Sequence, residues 1–172
     1  MKNIPHHMMK GVSLHNYTFT HRWEDKGNAT GFNEDEYFSL LEHGMRMDNL
    51  LKRHTAIMDL HDPAKNIHLV VDEWGAWYNV EKATNPGFLY QQNTLRDELL
   101  AGTIINIFHN YCDRVKIANI AQLVNVLQAL FLTEGEKMLL TPTYHAFDMY
   151  KVHQDAMMLP AEISSPKYSR LG

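Results

Sequence analysis

Apolar residues along this chain recur with two different periods. Short apolar or alternating runs cover Val12-Ser13-Leu14-His15-Asn16-Tyr17, Ile67 to Val71 and Val115 to Ile120, and each reads as a strand. Between them the apolar positions step by three and four. Tyr37, Leu40, Leu41, Met47, Leu50 and Leu51 form one such face, and Leu95, Leu99, Leu100, Ile104, Ile107 and Phe108 form another. Start signals fit both helices. Asn33 precedes an acidic first turn, Glu34-Asp35-Glu36, and Thr94 is followed three residues later by Asp97, a near capping box. Pro63 closes the first helical region, and Thr141-Pro142 opens a third helix running from Tyr144 to Asp155, with Pro160 beyond it. Strands separated by helices call for an α/β fold with a parallel sheet.

The polar residues collect just after the strands. Thr18 to Gly31 and Asn79 to Gln92 read as loops, and Thr133-Glu134-Gly135-Glu136 reads as a turn. Leu123 to Leu132 is too densely apolar to assign, and the tail from Ala161 reads as a linker. The sharpest change falls in Val70-Val71-Asp72-Glu73-Trp74-Gly75-Ala76-Trp77-Tyr78, where a buried strand meets two carboxylates, two tryptophans and a glycine. Catalytic groups of β/α barrels sit at the C-terminal ends of parallel strands, so Glu73 is the first candidate. The plain alternative is that Asp72-Glu73 begins a loop and that the aromatic residues are core.

Composition narrows the classes. Of 172 residues, 45% are hydrophobic and 21% charged, the balance of a folded protein. The net charge of −4 and the lack of a basic run argue against nucleic acid as a partner. Cys112 is the single cysteine, so an intrachain disulfide is excluded, and no CxxC or paired Cys/His spacing suggests zinc. Eleven histidines are scattered singly apart from His6-His7, so no metal or cofactor is expected. No segment has signal-peptide or membrane-span length, so no membrane partner is expected either.

The string Asp72-Glu73-Trp74-x-x-Trp77-Tyr78 resembles the nucleophile motif of the family 51 glycoside hydrolases, the α-L-arabinofuranosidases. Gly75-Ala76 departs mildly at the variable middle positions. Further blocks carry the resemblance along the chain: Ser13-Leu14-His15, Arg114 to Asn119, Ala121-Gln122-Leu123-Val124-Asn125, and Tyr150 to Gln154. It implies a (β/α)8 TIM barrel of which residues 1–159 are the later part, about strands six to eight. Residues 160–172 would then be a linker or the start of a C-terminal β-sandwich. A whole barrel needs about 250 residues.

By the same resemblance Glu73 is the catalytic nucleophile, Tyr17 approaches it and the sugar, and Gln122 hydrogen-bonds the arabinose. His15 sits beside them, and Trp77 lines the leaving-group side or packs. The implied reaction is retaining hydrolysis of terminal α-L-arabinofuranosyl groups from arabinan, arabinoxylan or arabino-oligosaccharides. Its acid/base, a glutamate after an asparagine on an earlier strand, would lie in an N-terminal part of the barrel that these residues do not contain. Asn33-Glu34 has the right dipeptide, but Glu34 follows the wrong strand. A chain lacking the acid/base is expected to be inactive and poorly stable or self-associating on its own. The full-length protein has room to be a homo-oligomer, and the cytoplasm is the favoured compartment. The competing reading is a non-catalytic carbohydrate-binding or remnant polypeptide.

Overall fold

The computed structural model describes residues 3–166. A sheet of three parallel strands, in spatial order β1-β2-β3, comprises β1 (Gly11–Thr18), β2 (His68–Ala76) and β3 (Val115–Ile120). Helix α1 (Glu34–His61) connects β1 to β2 and α2 (Leu95–Asn110) connects β2 to β3. After β3 come a hairpin, β4 (Phe131–Glu134) with β5 (Lys137–Leu140), and helix α3 (Pro142–Tyr150).

The helix starts follow from their caps. Asn33 Oδ1 accepts from the Glu36 amide at 2.9 Å while Glu36 Oε2 accepts from the Asn33 amide at 3.0 Å, which satisfies two amides the helix leaves unpaired. At α2 the Asp97 carboxylate closes the cap, accepting from the Thr94 amide at 2.7 Å and from the Thr94 hydroxyl at 3.1 Å. Leu40, Gly44, Met47, Leu51, Thr55 and Met58 give α1 one buried stripe. That stripe meets Leu100 and Ile104 of α2, and the sheet contributes Leu69, Val71 and Trp74 to the same core. Trp74 is fully buried, edge-on to Phe108 at 5.2 Å and stacked on Phe147 at 6.1 Å. At the opposite end of β2, buried Arg114 joins Asp59, Asp62 and the Ile67 carbonyl, which locks the α1–β2 corner to β3.

Two expectations change, the end of the second strand and the end of the third helix. The strand expected to stop at Val71 continues to Ala76, because β1 pairs with it throughout, His15 opposite Glu73 and Thr18 opposite Ala76. Within that strand lies a bulge. Ser13 to His15 on β1 spans two residues opposite Val70 to Glu73, and Ala118 to Ile120 on β3 spans two opposite Val71 to Trp74. Burial switches accordingly from Leu69 and Val71 to Trp74 and Ala76, so the strand changes parity at Asp72-Glu73.

The third helix ends at Tyr150 rather than Asp155. A tight turn over Lys151–His153 follows, and from there to residue 166 the chain is exposed, with no apolar surface to hold a further helical turn. The expected turn at residues 133–136 is the tip of the β4–β5 hairpin, with Gly135 at φ +58°. Residues 123–130 are irregular, with Asn125 and Leu127 at positive φ. The expected boundary at residue 160 falls in exposed extended chain, and residues 167–172 lie outside the described residues.

Candidate active site

Alternation along β1 sends Val12 and Leu14 toward the helices and Ser13, His15 and Tyr17 to the other face. The β2 bulge brings two consecutive carboxylates to that same face. Tyr17 Oη donates to Glu73 Oε2 at 2.7 Å, and Ser13 Oγ donates to Asp72 Oδ1 at 2.7 Å. The His15 imidazole lies between them, with Nε2 3.1 Å from Asp72 Oδ1 and Nδ1 3.5 Å from Glu73 Oε2. A neutral imidazole offers its one N–H to only one of these carboxylates, whereas the protonated ring serves both.

Each group has a distinct electrostatic setting. Burial, followed by the bond to the Glu73 carboxylate, raises the Tyr17 hydroxyl well above the ordinary tyrosine range, so it stays a donor. The Ser13 hydroxyl, with His15 nearby, holds Asp72 below the usual carboxylate range despite partial burial. Asp72 therefore stays ionised and is unsuited to donate a proton. Glu73 is 42% exposed, open to an incoming ligand.

Trp77 packs edge-on against the Tyr17 ring at 5.0 Å and against Trp23 at 5.4 Å, which ties the site to the loop after β1. Behind the motif the backbone is held by side chains. The buried Gln128 accepts from the Ala76 amide at 2.7 Å and donates to the Asp97 carbonyl at 2.8 Å. Gln91 accepts from the Tyr78 amide at 2.9 Å and donates to the Ala76 carbonyl at 3.2 Å. Gly75, at φ +137°, lies under Gln128, where an added Cβ would come within 3.1 Å of Oε1. Tyr78 Oη donates to Asp97 Oδ1 at 2.7 Å, and burial pushes that carboxyl upward.

Of the residues expected from sequence, Glu73, Tyr17, His15 and Trp77 meet. Gln122 follows β3 and so lies at the same end of the sheet, but its side chain is exposed and hydrogen-bonds none of them among the described residues. It lines a separate open cleft of about 990 Å³ between residues 84–92 and the β4–β5 hairpin. Glu34 lies in the first turn of α1, among the capping groups. Among the described residues no group of three or more His, Cys, Asp or Glu side chains is arranged to hold a metal ion, and no helix is long and apolar enough to cross a membrane. The Ser13–Asp72 bond, the two clamping glutamines and the Trp23 platform carried no sequence signal. Isolated Ser, Gln and loop Trp residues have no spacing that marks them.

A parallel sheet whose strand ends gather a tyrosine-bound glutamate, a second carboxylate and an imidazole has the make-up of an α/β hydrolytic site. Residues 72–171 match the family described as "Alpha-L-arabinofuranosidase C-terminal domain". The chain belongs to the family 51 glycoside hydrolase α-L-arabinofuranosidases. It is 50% identical over 163 residues to an intracellular exo-alpha-L-arabinofuranosidase of Bacteroides ovatus, covering 95% of this chain and 32% of that protein. An intracellular exo-alpha-(1->5)-L-arabinofuranosidase of Halalkalibacterium halodurans is 30% identical, with 91% and 31% covered. The crystal structure of the GH51 arabinofuranosidase from Xanthomonas axonopodis pv. citri superposes with a TM-score of 0.93 at 50% identity, covering 95% of this chain and 33% of that one. The chain thus spans about a third of the length of these relatives.

Proposed function

We propose that this chain is the nucleophile-bearing part of a retaining α-L-arabinofuranosidase. The observation that carries the reading is the 2.7 Å bond from Tyr17 to Glu73 at the β2 bulge, which keeps one carboxylate oxygen engaged and leaves the other for the anomeric carbon. Glu73 attacks that carbon and forms a covalent arabinosyl intermediate, while a second carboxylic acid about 5 Å away protonates the leaving oxygen and then activates water. Asp72 does not fill the second role, because it is held ionised. By the family resemblance the acid/base is a glutamate of polypeptide outside these 172 residues. In this reading residues 1–159 supply about strands six to eight of the barrel, and residues 160–172 lead toward the C-terminal domain. The substrates are arabinofuranosyl oligo- and polysaccharides, Gln122 reaches the sugar once it is bound, and the enzyme works inside the cell.

The test uses a family-length enzyme that contains these residues. Glu73→Ala should abolish hydrolysis of an aryl arabinofuranoside with folding unchanged, and azide should restore part of the turnover as a glycosyl azide. Activity within a few-fold of the parent excludes Glu73 as nucleophile. The 172-residue chain alone should show no appreciable turnover, since general acid catalysis contributes about 10²- to 10⁴-fold. Turnover near that of a full relative would overturn the division of the site.

A further inference from the structure

Beyond Glu73, on the side that Trp77 faces, residues 19–27 form a loop that the reaction above does not use. Its geometry is fixed. The Thr20 amide donates to the Lys26 carbonyl at 3.1 Å, the Arg22 amide donates to Asp25 at 3.0 Å, and the Asn79 amide donates to Gly27 at 2.8 Å. Gly27, at φ +79°, sits where an added Cβ would come within 2.7 Å of Thr20 Cβ, so the turn admits only glycine.

This rigid loop presents two groups whose placement the fold alone does not require. Trp23 is 58% exposed although it is a large aromatic residue, and it leans edge-on against Trp77. Lys26 Nζ donates to the Trp23 carbonyl at 2.7 Å and lies 4.6 Å from the Trp23 ring centroid and 5.2 Å from that of Trp77. Ring faces attract the ammonium but leave its charge uncancelled. Among the described residues no carboxylate pairs with Lys26. Asp25 is engaged by Gly27 and Asn79, and Glu24 faces Arg22 at 3.9 Å. A held, unneutralised cation beside an exposed indole, in a chain of net charge −4, fits a ligand that has both a sugar ring and a negative charge.

We propose that Trp23 and Lys26 form a subsite for a uronic acid residue on the leaving-group side of Glu73. Trp23 stacks on the sugar ring and Lys26 pairs with its carboxylate. The inference deepens the arabinofuranosidase reading and rests on it for the identity of the leaving group. Contacts lead outward from Glu73 to Tyr17, to the Trp77 ring and to Trp23 with Lys26, which puts the cation on the Trp77 side of the nucleophile.

The deciding experiment measures, by calorimetric titration, the binding of methyl α-D-galacturonoside and of methyl α-D-galactoside to a family-length chain that contains these residues. The uronoside should bind about two- to fivefold more tightly at low salt, the range of a solvent-exposed ion pair, and the preference should shrink as salt rises. Lys26→Met should bring the ratio to one, Lys26→Arg should keep it, and Trp23→Ala should weaken both sugars. Equal binding of the two sugars by the unmodified chain, or a preference that survives Lys26→Met, overturns the subsite. The binding ratio decides this without turnover, whereas failure of a family-length enzyme to cleave any arabinofuranoside counts against the preceding reading alone.

Discussion

Replacing Gly75 by alanine perturbs the backbone on which the motif turns from strand to loop. The glycine sits at φ +137°, and an alanine Cβ there would lie 3.1 Å from Gln128 Oε1, the atom that accepts the Ala76 amide at 2.7 Å. Holding an L-residue in such a region costs about 1–3 kcal/mol. Displacing Gln128 from a fully buried bond loses about 0.5–1.5 kcal/mol more, and the stiffer unfolded chain returns about 0.4–1 kcal/mol. The net destabilisation should be about 2 kcal/mol. Gly31 is the natural control, because its φ is +69° with nothing within 4 Å of its Cβ position. Gly31→Ala carries only the left-handed strain, about 1–2 kcal/mol, less the same return, which nets to about 1 kcal/mol. Urea denaturation of both variants, followed by near-ultraviolet circular dichroism, separates the two. Equal midpoints, or a Gly75→Ala variant as stable as the parent, would refute the close approach of Gln128 to the motif.

Two further outcomes follow from the same geometry. Tyr17→Phe in a family-length enzyme removes a hydrogen bond to a charged group, worth about 1.5–3 kcal/mol, so kcat/KM on an aryl arabinofuranoside should fall about 10- to 150-fold; a change under threefold would remove Tyr17 from the site. The Ile67 amide bond, with the Arg114 guanidinium behind it, brings the Asp62 carboxyl down to about 2. A depressed folded-state value means that its stabilisation is complete above the ordinary carboxylate range and is lost as pH falls from about 4 toward 2. Asp62→Asn should therefore flatten the acid limb of the stability profile over that window, and an unchanged limb would contradict the Arg114 corner.

The parts of the fold that local chemistry specifies were legible in the residues. Asn33 with Glu36, Thr94 with Asp97, and Thr141-Pro142 mark helix starts through side chains that reach their own backbone, and Val115 to Ile120 is the strand its β-branched run suggests. What tertiary pairing decides was not legible. The extension of β2 to Ala76 depends on β1 lying alongside, and the β4–β5 hairpin exposes Met138 and Leu139, which lack the alternation that marks a strand. At the site the motif string and strand-end logic led to Glu73 and Tyr17. Asp72 emerged as a held anion, and Gln91 and Gln128 as backbone clamps, only once distant segments met, because each acts across long stretches of sequence.

The bulge in β2 makes the length of that strand, as well as its residue types, a condition for holding two acidic side chains on one face. A strand counts in twos, and this one skips a beat between Val71 and Trp74. Removing one residue there would restore an unbroken count with Trp74 still in the core, but it would leave one acidic side chain where the strand now sets two side by side. Substitutions can be absorbed one atom at a time, whereas a single-codon deletion at this point removes the bulge and with it one of the paired carboxylates. Variation in the motif should therefore accumulate as replacements, as at Gly75-Ala76, and not as changes in spacing.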